Sequence, residues 1–142
     1  TTQVIGRAGR SGNESSVIIQ TLNPDHPAIV HARNQDYKSF YEYEVEERTA
    51  EHMPPLTHLL QLSVGYASQK AAEKAADQFK QQLRRTHAGI HVRGPSPAFH
   101  EHRGTLFYQQ LIVSSASRKV LTDITANLPA RWQFTLDPIN LL

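Results

Sequence analysis

A pattern of arginines and glycines near the start of the chain has the clearest potential for chemistry. Residues 3–10 read Q-x-x-G-R-x-G-R, so Arg7 and Arg10 stand three positions apart, with Gly6 and Gly9 beside them. A guanidinium stays charged and grips phosphate oxygens through a planar set of N–H donors. An arginine brought in from a second lobe also stabilises charge that develops on a transferred phosphoryl group. The pattern predicts contact with a polyphosphate; the alternative is a Gly/Arg-rich surface turn.

The segment after this pattern should form a strand that prolines then end. Residues 16–21 are rich in β-branched side chains, which predicts a buried strand. Pro24 and Pro27 should end that strand, because a proline lacks an N–H donor and biases the preceding residue away from helix.

An acidic helix is predicted over residues 28–53. Asp36 can cap the turns that follow it, and Pro54-Pro55 should end the helix. Residues 35–52 contain six acidic side chains against two lysines or arginines. We interpret this helix as a connector rather than as a binding site.

Residues 55–142 begin with the pattern of a strand followed by a helix. Leu60, Leu62 and Val64 alternate with polar residues as a half-buried strand does, and Ser68 can cap the helix that follows. That helix should bury one apolar stripe, made of Ala72, Ala75, Ala76, Phe79 and Leu83.

The rest of this block continues as strand, strand, helix and strand. Residues 90–92 predict a short second strand that residues 94–97 break, and residues 106–113 predict a long third strand. Ser117 can cap a second helix, and residues 132–136 alternate as a last strand. The order βαββαβ predicts an α+β, split, ferredoxin-like domain with an antiparallel sheet and two helices on one face. Such a fold hosts many unrelated activities.

Composition excludes several classes of protein. The chain has 142 residues and no cysteine, which rules out disulfides, thiol nucleophiles and thiolate metal sites. No apolar run approaches the roughly 18 residues of a membrane helix, so we expect a soluble protein without a membrane partner. The lack of cysteine fits a cytoplasmic protein. It begins at Thr1 without an initiator Met or a signal peptide, so we expect a piece of a longer protein.

The C-terminal block is basic. From residue 53 onward there are ten lysines and arginines against five acidic residues. Its first helix carries a basic face, formed by Lys70, Lys74, Arg84 and Arg85. These side chains predict a track for DNA phosphates, and a solvated helix face is the alternative.

Three other features favour ordinary structural roles. His100-Glu101-His102 has spacing that a metal site can use, but no third ligand stands nearby, so we predict a polar loop and no metal. Tyr108 and Trp132 have rings that can stack on bases, but both alternate with core residues, which favours burial.

Several separated patterns resemble one known family. Residues 3–10 look like motif VI of superfamily-two helicases, and the continuation through residues 17–27 resembles the replication-restart DNA helicases of the primosomal protein N′ (PriA) family. Further similarity to that family is found in residues 40–48, Pro54-Pro55, residues 94–98, Arg103-Gly104, residues 108–112 and residues 132–142. The resemblance therefore spans essentially the whole chain.

The resemblance implies an ATP-driven helicase that moves 3′ to 5′ on DNA and acts in primosome assembly and replication restart. It implies ATP and Mg²⁺ in the parent protein, and zinc on cysteines upstream of this chain. Residues 1–29 would be the end of helicase lobe 2, residues 30–54 the acidic connecting helix, and residues 55–142 the C-terminal DNA- and protein-binding domain. Implied partners are forked or single-stranded DNA, the tail of single-stranded-DNA-binding protein and other primosome proteins.

The resemblance to motif VI implies roles in an ATP site for single residues of this chain. Arg10 matches the arginine finger on the γ-phosphate, Arg7 its partner and Gln3 a positioning residue, with Gly6 and Gly9 beside the nucleotide. The chain has no G-x-x-x-x-G-K-[ST] phosphate loop, so it should be inactive as an ATPase without the rest of the parent.

The last helix carries the residues implied in partner binding. Arg118 matches a basic position that contacts the tail of single-stranded-DNA-binding protein, and Thr122 falls where relatives have a polar contact. Lys119 adds positive charge near the helix start, which already favours anions. Two alternatives stay open: a pure protein-interaction module with DNA held elsewhere in the parent, and an RNA-binding domain that reuses this fold.

Overall fold

Residues 16–26, which precede the first described helix, have no regular secondary structure. In the computed structural model of the protein, the structure describes residues 16–141, except the side chains of residues 99–103. Residues 16–21 form no strand, and the Ile18 side chain is 91% exposed. The prediction of a buried strand here was wrong: strand hydrogen bonds need a neighbouring strand, and within residues 16–141 no strand pairs with this run.

Two helices replace the single helix predicted over residues 28–53. Helix α1 (Pro27–Asn34) has proline at its first position and His26 as its cap, with Nδ1 accepting from the Ala28 N–H at 3.2 Å. It ends at Gln35, whose backbone is left-handed with φ of 53°. The left-handed residue turns the chain, and this is why one continuous helix was a wrong prediction.

Helix α2 (Tyr37–Ala50) starts as predicted at the Asp36 cap. The Asp36 Oδ1 atom accepts from the Ser39 N–H at 3.0 Å. Hydrogen bonds from the Ser39 side chain and backbone lower the pKa of Asp36 below its ordinary value. Helix α2 ends at Ala50, ahead of Pro54-Pro55, as the prolines predicted.

The chain divides into two compact units between Glu47 and Arg48. In the first unit, the His31 ring of α1 lies 6.1 Å from the Phe40 ring and 6.3 Å from the Tyr43 ring of α2. The predicted division at residues 29 and 54 stays a prediction.

The second unit has the predicted ferredoxin-like plan. Its elements follow in the order β1 (His58–Tyr66), α3 (Gln69–Thr86), β2 (Ile90–Arg103), β3 (Leu106–Ser115), α4 (Arg118–Ala126) and β4 (Trp132–Leu136). The four strands pair antiparallel in the order β2-β3-β1-β4. Strands β2 and β4 therefore form the two edges of the described sheet.

The core lies between the helices and one face of the sheet. Leu60, Leu62 and Val64 of β1 are fully buried, as their alternation predicted. In register with them, Leu111 and Val113 of β3 are also buried. The helices contribute Ala72, Ala76, Phe79 and Leu83 from α3 and Leu121 and Ile124 from α4. Burying each large side chain stabilises the fold by about 1.5–3 kcal/mol.

Helix α3 begins where the sequence predicted. The Ser68 Oγ atom accepts from the Ala71 N–H at 3.3 Å, so Ser68 is the cap. Ala75, predicted in the buried stripe, is only partly buried because it lies at the margin of the stripe. Ser117 precedes α4 as predicted, but its side chain makes no capping hydrogen bond.

The prediction that residues 94–97 end the second strand was wrong. Strand β2 continues to Arg103, with irregular register between Arg93 and Ser96 and again between Pro97 and His102. The prolines lack N–H donors, so pairing is interrupted locally and then resumes. Gly94 makes this possible: its φ is +96°, and a Cβ there would lie 2.7 Å from the Gln110 carbonyl oxygen.

The two candidate stacking rings are used in packing. Trp132 packs on Phe79, with ring centroids 4.4 Å apart, and belongs to the border of the core. The ring of Tyr108 lies across Gly65, where a Cβ would come within 2.7 Å of it. Burial was therefore the correct interpretation for Trp132, and Tyr108 is half-buried.

Candidate nucleic-acid and partner interface

The residues assigned to the ATP site cannot be placed. Gln3, Gly6, Arg7, Gly9 and Arg10 lie outside the described residues, and their roles stay predictions. The side chains of residues 100–102 are likewise outside the described part of the chain. Among the side chains that are described, no group of three His, Asp or Glu residues is arranged to hold a metal ion.

The four cations predicted to contact DNA share the solvent face of α3. Lys70, Lys74, Arg84 and Arg85 are all exposed. They form two groups, because ten residues of helix place Lys74 and Arg84 roughly 15 Å apart along the axis. Exposed Glu73 and Asp77 stand beside the first group and reduce its positive potential.

Arg84 differs from the other three because it is anchored to the sheet. Its Nη2 atom donates to the Val92 carbonyl at 3.1 Å, and Lys80, one turn earlier, donates to the Gly94 carbonyl. Both acceptors belong to β2, an edge strand with no partner on its outer side among the strands that the structure describes. The two cations therefore satisfy carbonyl groups on an edge that would otherwise invite pairing with another chain. Sequence reasoning missed Lys80, although its spacing of four from Arg84 on a helix was a usable signal.

A cleft of about 420 Å³ lies beside this edge, and we call it the β2-edge cleft. It is lined by residues 50–52, by Arg84 and by residues 90–93. The rings of His52 and His91 stack across it, with centroids 3.3 Å apart and planes inclined by 20°.

An arginine and a carboxylate form an exposed pair at the same cleft. The Arg93 Nη2 atom lies 2.9 Å from the Glu51 Oε2 atom and also donates to the Glu51 backbone carbonyl. Sequence reasoning missed Arg93, His52, His91 and this pairing. No local signal could reveal the pair, because 42 positions separate its members in the chain.

The predicted partner site at the start of α4 already contains an ion pair. The Arg118 Nε atom donates to the Asp137 Oδ2 atom at 3.1 Å. Asp137 in turn accepts the Leu59 N–H through Oδ1 at 3.2 Å, and its Oδ1 lies 3.6 Å from the His58 Nδ1 atom. A carboxylate of a partner would therefore share Arg118 with Asp137 or displace it.

The same contacts set the ionisation of Asp137. Desolvation by partial burial acts to raise the pKa of Asp137, but the Leu59 N–H and Arg118 outweigh it and lower the pKa below its ordinary value. The carboxylate is thus held in its charged form beside Arg118.

The other two residues of this site are close to Arg118 but have different environments. Thr122 lies one turn after Arg118, and its hydroxyl donates to the Arg118 carbonyl at 3.1 Å. Lys119 is exposed at the start of α4. The structure therefore brings Arg118 and Thr122 together on one face, with Asp137 as a third member that the sequence did not single out.

None of the described helices is long and apolar enough to cross a membrane.

Comparison with known proteins gives one consistent result. No protein-family model matches the chain. The chain is 31% identical to the replication restart protein PriA of Treponema pallidum over 99% of its own length. It is 34% identical to that of Bacillus subtilis over 67% of its length, and 28% identical to that of Haemophilus influenzae over 98%. It spans only 23%, 12% and 20% of these three relatives, respectively.

Proposed function

Because the chain belongs to the family of the replication restart protein PriA, we propose that it is the C-terminal part of an ATP-dependent 3′ to 5′ DNA helicase for primosome assembly and replication restart. The supporting observation is continuous similarity: a relative with this name matches 99% of the chain. We assign to this part the handling of forked or single-stranded DNA and the docking of single-stranded-DNA-binding protein.

The charge of the second unit supports the DNA-handling role. Residues 53–142 carry ten lysines and arginines against five acidic residues, and α3 presents four exposed cations. Cations that replace the counterions of DNA phosphates contribute affinity that does not depend on base sequence. Lys70 and Lys74 would contact phosphates as mobile charges, whereas Arg84 would do so from an anchored position.

The start of α4 supports the docking of an acidic protein tail. Arg118, Lys119 and Thr122 would contact the tail of single-stranded-DNA-binding protein, and a carboxylate of that tail would replace Asp137 as the partner of Arg118. The exchange needs little energy, because the existing pair is exposed and such pairs contribute roughly 0–1 kcal/mol.

ATP chemistry belongs to the parent protein in this proposal. Arg10, Arg7 and Gln3, with Gly6 and Gly9 beside them, would approach a nucleotide whose phosphate loop and Mg²⁺ ligands lie elsewhere in the parent, as would its zinc. The chain alone should therefore not hydrolyse ATP. The parent would act in the bacterial cytoplasm with other primosome proteins.

Fluorescence anisotropy with labelled forked, duplex and single-stranded DNA, repeated across a salt series, tests the proposal. We expect binding that favours the fork and weakens steeply with salt, because each phosphate contact releases counterions. Lack of binding to any DNA at low salt would instead support a pure protein-interaction module. Tighter binding to a matched RNA would support the RNA-binding alternative.

A further inference from the structure

We propose that the β2-edge cleft binds phosphate groups of single-stranded DNA through Arg84 and Arg93, with Glu51 as a built-in competitor for Arg93. This inference rests on the proposed DNA-handling function and names a site for it. Its residues are distinct from the Lys70 and Lys74 group on the solvent face of α3.

Two guanidiniums enter the cleft lining from different elements. Arg84 comes from the last turns of α3, and Arg93 comes from the edge strand β2. Each is held through its Nη2 atom by a backbone carbonyl, Arg84 by that of Val92 and Arg93 by that of Glu51, and neither contact depends on the Glu51 carboxylate. An arginine whose rotamer is already restricted loses less conformational entropy when it binds, and its planar fork matches the geometry of phosphate oxygens.

The histidine pair adds hydrogen-bonding groups beside these cations. His52 and His91 stack at 3.3 Å, so their rings occupy defined positions. The His52 backbone is also held, because its carbonyl accepts from the Thr57 hydroxyl at 2.8 Å. Each imidazole ring carries an N–H group that can donate to a phosphate oxygen.

The size of the cleft favours a single strand over a duplex. Its volume of about 420 Å³ is in the range of ligand sites, about 300–1,000 Å³, and the cleft is open to solvent, as the passage of a strand requires. One nucleotide of a flexible strand fits such a space, whereas a duplex presents its phosphates on a rigid, wide cylinder. The ligand class is therefore a single-stranded polynucleotide.

Because of Glu51, a phosphate can bind Arg93 only by displacing a carboxylate. It is the carboxylate in the lining, and it lies 2.9 Å from Arg93. Its side chain is 64% exposed, so solvent screens the pair and a phosphate can replace the carboxylate at low cost. Removing the Glu51 charge should therefore strengthen binding, which no general loss of structure would do.

Anisotropy of labelled oligo-dT, measured across a salt series, tests the site with four variants. Relative to wild type, we expect Arg93→Ala and Arg84→Lys to weaken binding, Arg93→Ala by about fivefold to tenfold with a salt slope smaller by about one. Glu51→Gln should strengthen binding several-fold. Arg33→Ala, which removes an exposed arginine from α1, is the matched control and should change affinity less than Arg93→Ala does.

The outcomes separate this inference from the proposed function. If wild type binds DNA while Arg93→Ala and Glu51→Gln behave like Arg33→Ala, the cleft is not the site and the DNA-handling role stands. If wild type binds no oligo-dT at low salt, the cleft is not the site; if it also binds no forked or duplex DNA, the DNA-handling role is overturned as well. Because Arg93→Ala can also disturb β2, a gain of affinity in Glu51→Gln is the decisive result.

Discussion

Two carboxylate–arginine pairs stand at opposite edges of the sheet, and they are held differently. Asp137, directly after β4, accepts both the Leu59 N–H and the Arg118 side chain, and its side chain is 39% exposed. Glu51 faces Arg93 of β2 from the segment after α2, and its side chain is 64% exposed. The comparison teaches that a carboxylate that also accepts a backbone N–H contributes to the fold even when its arginine turns to a ligand, whereas the carboxylate of an exposed ion pair contributes little.

The two edge strands also limit unwanted strand pairing in different ways. Strand β2 is long and irregular, and Lys80 and Arg84 of α3 satisfy its carbonyls at Gly94 and Val92. Strand β4 has only five residues, so it presents a short edge. Both are ways of limiting unwanted strand pairing. At the β2 edge, unlike the β4 edge, the helix cations donate directly to carbonyls of the strand itself.

The largest effect is expected from changing the backbone of the β2 edge. Gly94→Ala should lower the free energy of unfolding by about 2–4 kcal/mol, because the left-handed backbone is unfavourable and the new Cβ would meet the Gln110 carbonyl at 2.7 Å. Gly89→Ala is the matched control: its φ is +70° but a Cβ there meets nothing within 4 Å. Urea denaturation of both variants measures the difference. Equal losses would show that the close approach at Gly94 does not matter.

An intermediate effect is expected at the β4 edge. Asp137→Asn should cost about 1 kcal/mol at pH 7, since the Leu59 N–H and Arg118 lose a charged acceptor that solvent already screens in part. The folded pKa of Asp137 is lowered, so this stabilisation is fully present above the unfolded pKa of about 3.9 and is lost as pH falls through the folded value.

Denaturation of wild type and Asp137→Asn at pH 7 and at pH 2 tests this dependence. The difference in the free energy of unfolding between the two proteins should be smaller at pH 2 than at pH 7. Asp123→Asn, at an exposed position on α4, should show no comparable gap at pH 7. A gap that is unchanged at low pH would mean that the Asp137 charge does not contribute to stability.

The smallest effect on stability is expected at the Glu51 pair. Glu51→Gln should change the free energy of unfolding by less than about 0.5 kcal/mol, because an exposed pair contributes little. Thermal denaturation beside Asp137→Asn gives the direct comparison. A loss as large as that of Asp137→Asn would show that Glu51 is structural and would remove the contrast between the two edges.

Local patterns predicted most of the second unit. The alternation of Leu60, Leu62 and Val64 and the cap at Ser68 were visible because periodicity and capping depend on near neighbours in the chain. The break between α1 and α2 was not visible, because Gln35 adopts a left-handed backbone without the glycine that usually signals one. The extent of β2 was missed because prolines were interpreted as an end, while strand β3 continues to pair beyond them.

The candidate sites also contain some features that the sequence predicts and others that only the tertiary structure decides. The sequence by itself determined the order of the elements in the second unit, the buried face of α3 and the cations on its opposite face, since each depends on patterns among near neighbours in the chain. Tertiary structure alone decided which cations are anchored: Arg84 to β2, Arg93 to Glu51 and Arg118 to Asp137. The reason is physical, because a hydrogen bond forms only where the order of the strands brings distant parts of the chain within about 3 Å.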